Sequence, residues 1–101
     1  MPLRQPAKFE TAPYYELIER YGMQPRYHLL RIDDQTWALT SPDAGLVRLQ
    51  YETALEIMAV DALLWLRRDL GYQVADEDIE AQPPAKILRM VRDTVSEVAI
   101  R

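Results

Sequence analysis

A chain of 101 residues, 49% hydrophobic and 28% charged, has the composition of one globular domain with a modest core, not of a disordered chain. Its formal charge of −4 disfavours non-specific attraction to nucleic acid or anionic membranes. The lack of cysteine excludes disulfides, thiolate nucleophiles and cysteine metal sites, and suits a reducing cytoplasm.

The opening stretch, MPLRQPAKFETAP, has charge but no apolar core of a secretory signal, and the longest apolar run in the chain falls short of the roughly 20 residues that span a bilayer. Residues 1–10 read as a mobile leader, with Pro2 and Pro6 opposed to regular structure. Thr11 is placed to cap a short helix through Pro13 and YYELIERY, with Gly22 as its stop. Tyr14, Leu17, Ile18 and Tyr21 share one face of that helix, which marks it as amphipathic.

Beyond Pro25, RYHLLRIDDQTWALTS reads as a β-hairpin. With Asp33 and Asp34 as its turn, Ile32 faces Gln35, Leu30 faces Trp37 and His28 faces Leu39. That register gathers Leu30, Ile32, Trp37 and Leu39 on one side and leaves Tyr27, Leu29, Arg31, Thr36, Ala38 and Thr40 on the other. A hairpin needs a helix or further strands against it to be stable in water.

Two helix starts compete downstream. Ser41, Pro42 and Asp43 supply an N-cap, a first-turn proline and a dipole-compatible acid. The alternative start is Thr53, where TALE forms a capping box and residues 46–50 become a third strand. Periodicity favours the first. Val47, Tyr51, Ala54, Met58, Ala62 and Trp65 form one seam at helical spacing, while Leu46, Leu49, Thr53, Ile57, Val60 and Leu64 form another. Both run back past Thr53, so a single helix is expected from Pro42 to Leu70, stopped by Gly71.

Such a helix of about 29 residues is about 43 Å long, longer than the roughly 34 Å diameter of a domain this size. One seam can cover the N-terminal helix and hairpin. The other calls for a second chain, most simply an identical one about a two-fold axis, or for the C-terminal helix folding back over it. Residues 72–82 carry four acids and no base and read as a solvated connection ending at Pro83 and Pro84. A second amphipathic helix follows, with Leu88, Val91, Val95 and Val98 on one face and Lys86, Arg89 and Arg92 on another. The expected architecture is therefore α+β and mainly helical: a short N-terminal helix, a β-hairpin, a long central helix and a C-terminal amphipathic helix. Residues 11–82 form the domain, and residues 83–101 pack on it or on a partner.

Chemistry is sparse. His28 is the only histidine, and Asp33 and Asp34 stand at the far end of its hairpin, where turn carboxylates accept backbone hydrogen bonds. Asp76, Glu77, Asp78 and Glu80 lack the glycine turn and alternating donors of a calcium loop. Arg67 and Arg68 suit a helix C-terminus. No phosphate loop, GxSxG, HExxH or zinc pattern is present, and no cofactor is expected. Six tyrosines and two tryptophans are the side chains most enriched at binding hot spots. The expected function is that of a non-catalytic, cytoplasmic protein-binding regulator or adaptor of the anti-activator, immunity or inhibitor type, acting as a homodimer. Its interface residues would be Leu46, Leu49, Ile57, Val60, Leu64, Leu88, Val91 and Val95. Two alternatives stand beside it: a DNA-binding regulator using the basic C-terminal helix, and a small-ligand binder or enzyme with a site near His28.

Overall fold

A computed structural model describes residues 6–33, 35–41 and 45–99. Helix α1 (Pro6–Tyr21) leads into strands β1 (His28–Arg31), β2 (Thr36–Ser41) and β3 (Gly45–Gln50). Helix α2 (Tyr51–Leu64) continues into a π-helical turn (Trp65–Asp69), then come the single turn α3 (Asp76–Ile79) and helix α4 (Pro84–Ala99). The strands form an antiparallel meander in the order β1-β2-β3. Helix α4 packs on α1 and α2, and α2 packs on β2 and β3. The expected α+β, mainly helical class is what the chain adopts.

The expected single helix from Pro42 to Leu70 is not formed. Residues 45–50 pair with β2 as a third strand, and the helix begins at Tyr51, two residues before the Thr53 capping box. Leu46, Val47 and Leu49 fit a helical seam and a strand equally well, since a short apolar run carries no decisive period. Pairing with β2 decides. Gly45 adopts φ +74°, a conformation that favours glycine, at the start of the strand. The Tyr51 N–H then donates to the Gln35 carbonyl at 3.1 Å, where the ladder gives way to the helix. Helix and π turn together span about 28 Å, inside the longest extent of 39 Å, so this helix does not overhang the domain. Ser41 ends a strand instead of capping a helix, and Pro42 and Asp43 lie outside the described residues.

The hairpin register is also shifted by one residue. Leu30 pairs with Ala38, Leu29 with Leu39 and Arg31 with Trp37. The Asp33 carboxylate accepts the Gln35 and Thr36 N–H groups, both at 2.8 Å, while the Ile32 and Asp33 N–H groups both donate to the Thr36 carbonyl. This side chain supports a three-residue loop where two had been expected. Asp34 itself lies outside the described residues. The backbone N–H of Gln35, above all, holds the Asp33 carboxyl below its ordinary pKa.

Residues 6–10, read as leader, belong to α1, with Pro6 at its first position, where a proline lacks only a bond that would be unmade anyway. Residues 1–5 lie outside the described residues. Thr11 is therefore a buried mid-helix residue and not a cap. The glycine stops form as expected: Gly22 and Gly71 have φ +73° and +74°. The next N–H in each case reaches back six residues, Met23 to Leu17 and Tyr72 to Leu66, one residue further than the 6→1 bond of a Schellman cap, so each glycine turns the chain back over the last helical turn in a wider loop. The 72–82 connection is less solvated than expected, since Tyr72, Val74 and Ile79 pack against the core. Arg67 donates to the Val74 carbonyl at 2.7 Å and to Asp76 at 2.9 Å, which ties this segment to the π turn.

The core contains Leu17, Trp37, Met58, Leu66, Leu88 and Val91, each large aliphatic or aromatic side chain contributing about 1.5–3 kcal/mol by burial. Within it lies Asp61, 0% exposed. Its Oδ2 accepts the Tyr14 hydroxyl at 2.9 Å and the Arg26 N–H at 3.0 Å, so one carboxylate joins α1, α2 and the approach to β1. Burial first, then the bond to Asp61, pushes the Tyr14 phenol well above its ordinary pKa of 10.0.

Tyr14→Phe should lower stability by about 1.5–3 kcal/mol, the range for a lost hydrogen bond to a charged group, as measured by urea denaturation. Raised in the folded state, the Tyr14 pKa gives a contribution that is complete below pH 10.0 and declines above it, because the unfolded chain then releases a proton that the folded chain keeps. An ultraviolet titration of the folded protein should accordingly show fewer than the six tyrosines ionising before alkaline unfolding.

Candidate protein-docking surface

The shifted register decides which side chains meet solvent. Alternation along the strands puts Leu29, Arg31, Trp37, Leu39, Val47 and Leu49 on the inner face. Trp37 is 1% exposed there, and Leu29 and Leu49 pack against the core. The outer face carries three cross-strand rows: His28, Thr40 and Leu46; Leu30, Ala38 and Arg48; and Ile32, Thr36 and Gln50. Leu30, Ile32 and Leu46 are 58%, 47% and 58% exposed. Ala38, central between Leu30 and Arg48, is fully covered. The outer face thus joins apolar groups to Arg48 and His28, with no carboxylate at these positions, on a chain of net charge −4.

The expected interface residues divide three ways. Leu46 lies on the outer sheet face. On α2, Val60 is exposed and Ile57 and Leu64 are half-buried along one stripe, so α4 does not bury that stripe. Leu49 is half-buried under the sheet. Leu88, Val91 and Val95 are corrected outright: they are buried in the chain's own core, because the apolar face of α4 is what closes over α1 and α2. Leu30 and Ile32 were missed as surface groups, since the two-residue turn had assigned them to the face with Trp37.

The other candidate chemistries are also located. His28 is exposed at the first position of β1. A cleft of about 520 Å³ between α1 and the sheet is lined by Ala12, Tyr15, Glu16, Glu19, Arg31 and Trp37, among others; His28 is not part of it. Asp76 is engaged by Arg67, and among the described residues no group of three or more histidine and carboxylate side chains gathers at metal-binding distance. Arg92 on α4 pairs with Asp93 at 3.1 Å and with Glu16 at 3.9 Å. Lys86 and Arg89 share their surface with Asp93 and Glu97, so the basic line is interleaved with acids. Two of the tyrosines serve internal bonds, Tyr14 to Asp61 and Tyr51 to Glu10, while Tyr15 and Tyr27 are exposed. Among the described residues no helix is long and apolar enough to cross a membrane. Comparison with family models, curated proteins and solved structures finds no match to this chain.

Asp33→Ala should loosen the loop that sets this surface. Amide exchange at Gln35 and Thr36 should accelerate relative to the core amides of α2, as read by hydrogen-exchange NMR; unchanged protection would mean that strand pairing alone holds the register.

Proposed function

We propose that this protein is a non-catalytic binding protein, a regulator or adaptor that occludes a partner protein through the outer face of its sheet. What supports this is the exposure of Leu30, Ile32 and Leu46 together on one side of a sheet whose other side packs on the core. Leu30 on β1 and Ile32 just past its end are neighbours, and Leu46 stands across β2 on the other edge. Exposed apolar groups rimmed by polar ones mark protein contact sites, and a sheet with one uncovered face lacks the second layer that domains ordinarily place there. The chemistry of the face selects the partner: an apolar surface carrying carboxylates, which would meet Arg48 and His28.

The double variant Leu30→Thr, Ile32→Thr keeps β-forming residues at exposed positions, so each change should alter stability by no more than about 0.5 kcal/mol. Covalent crosslinking in the native cell and mass spectrometry should recover a stoichiometric protein partner with the wild type. The double variant should bind that partner about tenfold or more weakly. A wild type that captures no partner, or a partner retained equally by both proteins, would overturn the proposal.

A further inference from the structure

We infer that β3 is the seam of a symmetric homodimer, in which two copies pair antiparallel, edge to edge, about a two-fold axis at Val47. Strand β3 is at one end of the sheet and is six residues long, against four for β1 at the other. The hydrogen-bond phase follows from the bond of the Tyr51 N–H to the Gln35 carbonyl and the β2–β3 register. In that phase Val47 and Leu49 bond inward to β2, while the N–H and C=O groups of Leu46, Arg48 and Gln50 point away from the sheet. An edge of this length presenting such a row is a template for another strand.

The side chains select both the occupant and the register. A two-fold axis at Arg48 would set two guanidinium groups opposite each other, a destabilising like-charge pair. Moving the axis to Val47 sets Leu46 against Arg48 of the partner subunit, and Leu49 against Gly45 of the partner subunit, where no side chain competes for space. Both backbone groups of Leu46 then meet both of Arg48, twice by symmetry. At the axis, Val47 is 43% exposed on the inner face, so the chain's own helices leave room for a second valine. Leu46, at 58%, is likewise free to be covered. The product is one six-stranded sheet whose outer face carries Leu30, Ile32 and Leu46 from each copy, with the two Leu46 side chains near the seam. The dimer would enlarge the proposed docking face without depending on it.

Sedimentation equilibrium on the full chain, over a concentration series, tests this. The wild type should approach twice the 11.8 kDa chain mass. Leu46→Lys places a cation opposite Arg48 of the partner subunit and should raise the dimer dissociation constant about tenfold. Leu46→Glu at the same exposed position should lower it by a similar factor. Arg48→Pro removes an outward N–H at an edge position that tolerates proline and should give a folded monomer by circular dichroism. The Leu30→Thr, Ile32→Thr double variant should remain dimeric, which separates this inference from the docking face. A wild type of single-chain mass at its highest soluble concentration would overturn it, as would Leu46 variants that leave the dissociation constant unchanged or shift it in the same direction.

Discussion

The loop from Asp33 to Thr36 is the constraint on which the surface of this molecule depends. Its carboxylate accepts two backbone N–H groups and supports three residues between the paired positions Ile32 and Thr36. One residue fewer would turn β1 over, because successive side chains point to opposite faces. Leu30 and Ile32 would then face the core beside Trp37, and Leu29 would face water. The same loop reaches the next element: the Gln35 carbonyl receives the Tyr51 N–H, so the turn of one hairpin also anchors the first residue of α2.

Beneath the sheet, three helices meet around small residues. Ala54, Ala59 and Ala62 on α2 are all buried, which permits close approach of neighbouring elements. Asp61 sits among them with two donors on Oδ2 and none on Oδ1. A buried carboxylate with a free oxygen costs stability. Its bonds bring Tyr14 of α1 and the Arg26 backbone to a single point, so it serves to specify how α1 and the strand entry dock on α2. Val91 and Leu88 of α4 complete this layer, leaving no further apolar face of that helix to close a second one.

The apolar surface in excess lies in a different place from where periodicity put it. A long helix with two seams would have exposed its surplus along its length. In the folded chain residues 45–69 are shared among β3, α2 and the π turn, and the surplus is divided between the outer sheet face, the β3 edge and the stripe of Ile57, Val60 and Leu64. The helices cover one face of the three-stranded sheet and leave Leu30, Ile32 and Leu46 exposed on the other.

Local signals in the sequence were enough to determine the α+β class, the amphipathic faces of α1 and α4, the glycine stops at Gly22 and Gly71 and the hairpin between Tyr27 and Ser41. Each rests on contacts within a few residues: helical spacing, a residue tolerant of positive φ, an acidic turn. Tertiary structure alone decided the state of residues 45–50, the one-residue register and the burial of Asp61, because these depend on partners far along the chain. Leu46, Val47 and Leu49 suit helix and strand alike until β2 lies beside them. Asp61 looks like one more polar position until Tyr14, 47 residues away, brings its hydroxyl. Which leucines reach solvent was likewise set by the bonds of the Asp33 carboxylate, a geometry that residue types alone do not encode.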